Sequence, residues 1–227
     1  MDRVTMDHAA LAFADRRNRM VDSQVRPNKV TDPRIIAAMR HLPRERFVPA
    51  AMAALAYADA DVPLGDGRVL IEPMAIARMV QLTAVATGER TLVVGAGTGY
   101  GAALLAACGA RVTALEESPS LLAMARSVLA ELAPSVSLVS GPLATGWPPG
   151  APYDVILIEG AVRDVPPAIA EQLHKETGRL VAVCVGGGTC GQAVLAEATM
   201  AGLRTQPMFD CATPLIPSLL PVPAFVF

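Results

Sequence analysis

Thr91-Leu92-Val93-Val94-Gly95-Ala96-Gly97-Thr98-Gly99-Tyr100 is the stretch that decides the fold. A short apolar strand, Thr91–Val94, runs into glycines at 95, 97 and 99, and Tyr100–Cys108 then has the composition of a helix. Glycine lets a backbone turn tightly and approach a ligand with no Cβ in the way. A helix starting directly after such a turn points its free N–H groups into the crevice beyond it. Twenty-one residues after Gly95 a second strand, Val112–Leu115, ends in Glu116-Glu117. A carboxylate there can accept two hydrogen bonds from ribose hydroxyls. The dinucleotide fingerprint GxGxxG needs a sixth-position glycine; Tyr100 makes the pattern GxGxG and opposes an NAD-dependent dehydrogenase. A tight turn that holds no ligand is the bland alternative.

Outward from this turn, strands and helices alternate. Ser118-Pro119 reads as a cap opening a helix to Leu132. Val136–Val139 is a third strand, Tyr153–Ile158 a fourth, Pro166–His174 a helix and Leu180–Val185 a fifth strand. That alternation predicts an α/β fold, a mostly parallel central sheet with helices on both faces. Gln192–Met200 suits either a helix or a late antiparallel strand turning at Ala201-Gly202 into Thr205–Ala212, and the prolines from 214 to 223 make the tail irregular. Upstream, the first ninety residues read as helical: Ala9–Gln24, Arg34–Leu42 behind Asp32-Pro33, Ala50–Tyr57, and a helix from Glu72-Pro73 to about Val85. Asp61–Arg68 reads as a loop. The expected organisation is an N-terminal helical segment, 1–88, packing on an α/β core, 89–227, with an apolar C-terminal tail.

Composition narrows the class. The 227 residues are 52% hydrophobic and 18% charged, which excludes disorder and supports a sizeable core. A net charge of −2 argues against nucleic acid as a partner, although residues 1–50 alone carry ten Lys/Arg against six Asp/Glu. The twenty uncharged residues Thr91–Ala110 contain five glycines, so a strand, turn and helix explain them better than a membrane span. The apolar run Ala9–Ala14 is too short for a signal peptide. Cys108, Cys184, Cys190 and Cys211 show no CxxC spacing, and His8, His41 and His174 are isolated. Neither a metal site nor a disulfide framework is expected, and the chain reads as cytoplasmic.

The chain resembles the protein-L-isoaspartate O-methyltransferases over roughly residues 15–215. The likeness rests on Arg19-Met20-Val21-x-x-Gln24, on Ala38-Met39, and on Leu42-Pro43-Arg44-Glu45-x-Phe47-Val48-Pro49. It continues through Ala56-Tyr57-Ala58-Asp59, the glycine turn, Ala151-Pro152-Tyr153-Asp154, Val165-Pro166, Gln172-Leu173 and Gly178-Arg179-Leu180-Val181. The resemblance implies a Rossmann-like methyltransferase fold, S-adenosylmethionine as cofactor and an isoaspartyl-containing peptide or protein as acceptor. It places donor contacts at Gly95, Ala96, Gly97, Thr98, Gly99, Tyr100, Glu116, Glu117, Pro142 and Leu143. Substrate contacts fall at Leu70, Ile71, Glu72 and Pro73. An ionised carboxylate acceptor needs no general base, and the protein's task is to align the reacting atoms and exclude water.

Three departures stand out. Ile71 occupies the position of the family's substrate-side hydroxyl, and both hydroxyls of that segment are absent from Val69-Leu70-Ile71-Glu72-Pro73. Gly141-Pro142-Leu143 lacks the acid that faces the adenine amino group. Thr213-Pro214-Leu215 stands for the family's terminal Val-Pro-Leu, but an apolar stretch, Ile216–Phe227, follows it. Losing one charge-assisted bond costs about 1.5–3 kcal/mol, which weakens a donor site without abolishing it. Glu72 is either a helix cap before Pro73 or a base for an amine or hydroxyl acceptor. Two readings accordingly stand beside repair-type carboxyl methylation: the same ancestry with another acceptor, such as a small molecule, and a catalytically degenerate domain that binds the cofactor.

Overall fold

The computed structural model describes residues 3–186 and 191–220, with side chains from residue 11 onward. Helices α1 (Arg3–Met20) and α2 (Pro33–His41) lead into the hairpin β1 (Val62–Gly65) and β2 (Arg68–Leu70), followed by α3 (Pro73–Leu82). Then come β3 (Arg90–Val94), α4 (Tyr100–Ala107), β4 (Arg111–Glu116), α5 (Pro119–Leu132) and β5 (Ser137–Ser140). The chain continues with β6 (Val155–Val162), α6 (Pro167–Ala170), β7 (Arg179–Cys184), β8 (Gln192–Thr199) and β9 (Gly202–Asp210).

The central sheet runs β5-β4-β3-β6-β7-β8-β9. Its first five strands are parallel, and β8 and β9 add antiparallel at one edge. Successive side chains of a strand face opposite sides, and both sides are apolar. Val93, Ala114, Leu157 and Val181 join one cluster with residues of α2, α3, α4 and α5. Leu92, Leu115, Ile156 and Leu180 join another with Leu143, Tyr153, Ile169 and Ile216. The N-terminal residues Met20, Val25, Ile35 and Met39 belong to the first cluster.

Local chemistry starts the helices where the sequence places them. Asp32 Oδ1 accepts from the Arg34 N–H at 2.8 Å ahead of Pro33, and Ser118 Oγ accepts from Leu121 N–H at 3.3 Å ahead of Pro119. Glu72 precedes α3, but its side chain makes no cap bond; its own N–H donates to Asp61 Oδ1 at 2.7 Å.

Several expectations need correction. Asp61–Arg68 is not a loop: it contributes to the β1–β2 hairpin, whose turn carries positive φ at Gly65, Asp66 and Gly67. Ala50–Leu55 is a 3-10 helix. The helix expected over 166–174 closes after one turn, because the chain then pairs alongside Tyr153, with Tyr153 N–H donating to Gln172 O and His174 N–H to Tyr153 O at 2.8 Å each. Gln192–Thr199 takes the strand alternative. Of the expected irregular tail, Pro217–Leu219 forms a 3-10 turn, and 221–227 lie outside the described residues, as does Cys190.

Candidate functional site

The carboxyl ends of β3, β4 and β6 converge on the Gly95–Tyr100 turn. Gly95, Gly97 and Gly99 all have positive φ, 69°, 57° and 94°, a conformation that costs other residues about 1–2 kcal/mol. Three of the turn's N–H groups are bound to β4: Gly95 and Ala96 both donate to Leu115 O at 3.0 Å, and Gly97 donates to Glu116 Oε2 at 2.7 Å.

The segment Pro43–Pro49 locks onto this turn. Thr98 donates its hydroxyl to Phe47 O at 2.6 Å, and Phe47 meets Tyr100 edge-on at 5.1 Å between centroids. Arg44 is completely buried; its Nε donates to Ala56 O and its Nη2 to Ile71 O, both at 2.6 Å, and its guanidinium lies 4.9 Å from the Tyr100 ring centroid. Burial pushes the Arg44 guanidinium down and the Tyr100 phenol up. The Tyr100 hydroxyl is near enough to Arg44 to feel its charge, yet neither it nor Arg44 Nη1 completes a well-formed hydrogen bond.

Glu116 sits at the end of β4 with no solvent exposure, and four donors saturate it. Glu117 and Ser118 N–H groups donate to Oε1 at 2.9 and 3.0 Å; Gly97 N–H and Arg68 Nη1 donate to Oε2 at 2.7 and 3.0 Å. Arg68 also donates through Nη2 to Gly95 O at 2.5 Å and Glu159 O at 3.1 Å. Glu159, near the middle of β6, is buried as well. A Cβ on Gly101 would lie 2.5 Å from its Oε2, which has no hydrogen-bond partner. Burial pushes the Glu159 carboxyl up to about 7, against the pull of Arg68 and the Gly101 N–H.

The expected donor residues are therefore brought together, but side chains already crowd the first glycine of the turn. A Cβ on Gly95 would stand 2.9 Å from Arg68 Nη2 and 3.2 Å from Ile216 Cδ1. Ile216 arrives on a segment paired beside β6, where Ala161 N–H donates to Pro214 O and Ile216 N–H to Ala161 O. The residue types at this crevice suit S-adenosylmethionine, and in this conformation Arg68 and Ile216 stand against Gly95. Glu117 Oε2 accepts from Leu143 N–H at 3.2 Å, and Pro142 is exposed beside it. Cavities of about 840 Å³ between α6 and the β8–β9 turn, and about 360 Å³ beside Arg90 and Arg111, open elsewhere.

The expected substrate residues are dispersed between surface and core. Leu70 and Ile71 are 2% and 1% exposed and belong to the core, and Pro73 is buried. Glu72 alone of the four is half-buried at the surface. Burial first, then Asp61 and Asp59, push its carboxyl up. Arg44, Arg68, Glu159 and Ile216 were missed by sequence reasoning. For Glu159 a signal existed, a lone carboxylate continuing an apolar strand; Arg68 offered none beyond its loop. Among the described residues no group of His, Cys, Asp and Glu is arranged to hold a metal, and no helix is long and apolar enough to cross a membrane.

The family model for protein-L-isoaspartate(D-aspartate) O-methyltransferase matches residues 15–200. A protein-L-isoaspartate O-methyltransferase of Methylorubrum extorquens (strain PA1) is 44% identical over 168 residues, 74% of this chain and 73% of that protein. One of Methanoculleus marisnigri (strain ATCC 35101 / DSM 1498 / JR1) is 37% identical over 202 residues, 88% and 91% of the two chains. A solved protein-L-isoaspartate O-methyltransferase superposes with a TM-score of 0.77 at 24% identity, covering 89% of this chain and 67% of that one. A Plasmodium falciparum structure described as a putative member in complex with S-adenosyl-L-homocysteine gives 0.74 at 14% identity, covering 89% and 98%. These two likenesses concern the fold.

Proposed function

The chain belongs to the protein-L-isoaspartate O-methyltransferase family, and we propose that it methylates the carboxylate of isoaspartyl residues in peptides or proteins. The observation that carries this reading is the match over residues 15–200, which spans both the Pro43–Pro49 segment and the glycine turn. S-adenosylmethionine is the methyl donor of this chemistry. We assign its contacts to Gly95–Tyr100, Glu116, Glu117, Pro142 and Leu143, within a core of residues 89–227 on which residues 1–88 pack. An acceptor carboxylate is ionised at neutral pH, consistent with a site that offers no His or Cys nucleophile. A cytoplasmic setting suits the free thiols of Cys108 and Cys184.

A second reading keeps the chemistry and changes the acceptor. Asp59, Asp61 and Glu72 make the expected acceptor side acidic, which repels a carboxylate and favours an amine. Labelled S-adenosylmethionine offered in turn with an isoaspartyl peptide, its aspartyl twin and a primary amine decides between them. Base-labile label on the isoaspartyl peptide alone supports the first reading. Base-stable label on an amine acceptor, with neither peptide labelled, supports the second.

A further inference from the structure

Arg68 does for Glu116 what a ribose hydroxyl would do, placing a hydrogen-bond donor on the carboxylate, with Nη1 on Oε2 at 3.0 Å. It does so with a full charge, and its second nitrogen holds the carbonyl of Gly95, the first glycine of the turn. The hairpin that delivers it is tethered at three points. At its tip Asp66 Oδ2 accepts from the Ser118 and Ser120 hydroxyls at 2.6 and 2.9 Å. Before its first strand Asp61 Oδ2 accepts from the Thr213 hydroxyl at 2.9 Å. At its turn Gly67 abuts Pro217, whose Cγ would be 3.1 Å from a Cβ there. The Ser118 and Ser120 ties are exposed, whereas the Arg68–Glu116 pair is buried, with side chains 7% and 0% exposed.

We propose that Arg68 is an internal latch on the donor crevice: its guanidinium holds Glu116 where the donor's ribose would bind, so donor entry requires the Val62–Leu70 hairpin to release it. This rests on Glu116 being the ribose acid of the proposed methyltransferase. A closed majority lowers apparent affinity by the fraction of molecules that are open. Removing the latch, or loosening the tip that carries it, raises affinity without adding any contact to the ligand. By linkage, a ligand that selects the open state exposes the hairpin.

The test is calorimetric titration of the full chain with S-adenosylhomocysteine, for the wild type, Arg68→Gln and Asp66→Ala. Hydrogen exchange of the wild type with and without the ligand accompanies it. Asp66→Ala leaves the buried charges untouched and serves should Arg68→Gln fail to fold. The latch predicts a Kd at least tenfold lower for Arg68→Gln and severalfold lower for Asp66→Ala. It also predicts faster exchange across 62–70 in the liganded wild type. Unchanged or weaker binding by folded variants, with unchanged exchange across 62–70 on binding, overturns the latch and leaves the donor reading intact. Absence of binding by all three proteins overturns both.

Discussion

Arg68 and Glu116, 48 residues apart in sequence, meet at 3.0 Å with both side chains removed from solvent. A buried ion pair persists only where its remaining lone pairs and protons are also satisfied. Here the Gly97, Glu117 and Ser118 N–H groups complete Glu116, while Arg68 also donates through Nη2 to the carbonyls of Gly95 and Glu159. The glycine turn, the end of β4 and the β1–β2 hairpin thus share one polar centre.

Breaking that pair from one side leaves an uncompensated buried charge. Glu116→Gln and Arg68→Met should each lose about 3–5 kcal/mol, and the double variant should lose less than the sum of the two. Urea denaturation of the four proteins measures the coupling. Strict additivity would mean that the pair is not a closed unit.

Glu159 makes stability depend on pH. Its folded value of about 7 stands above the ordinary 4.5, so the folded state holds the proton more tightly. The resulting stabilisation is complete below pH 4.5 and is lost as pH rises through 7, roughly 3 kcal/mol in all. Arg68, Arg44, Glu116 and Tyr100 surround the group and set the size of the effect. Thermal melts from pH 4.5 to 7.5 should show a falling Tm for the wild type and a flatter profile for Glu159→Gln. Parallel profiles would refute the assignment.

Placing a hydroxyl at position 71 should not speed catalysis. Ile71 is 1% exposed within the core, and its carbonyl holds Arg44. Ile71→Ser would leave a cavity and bury a hydroxyl, costing about 2–5 kcal/mol. Peptide methylation by the folded fraction should be no faster than wild type; a clear gain in kcat would place residue 71 at the acceptor after all.

Much of the fold was legible because its signals are local. The Asp32-Pro33 and Ser118-Pro119 caps, the apolar strands and the Gly95–Gly99 turn each act within a few residues. The hairpin was not legible: its Gly65-Asp66-Gly67 turn disguised two short strands as a loop. The site divided along the same line. Glu116 follows from strand length and spacing, but its occupant comes from a segment 48 residues upstream, and nothing in the local pattern of Arg68 encodes that meeting. Ile71 stands at the family's substrate-side position in the sequence, and the bond from Arg44 to its carbonyl accompanies a side chain packed in the core.

The most direct test is a crystal structure of the chain with S-adenosylhomocysteine, read at Glu116. The account predicts ribose hydroxyls within hydrogen-bond distance of the Glu116 carboxylate and the Arg68 guanidinium withdrawn from it. A bound ligand beside an intact Arg68–Glu116 pair, with its ribose elsewhere, would contradict both the placement of the ribose site and the role given to Arg68.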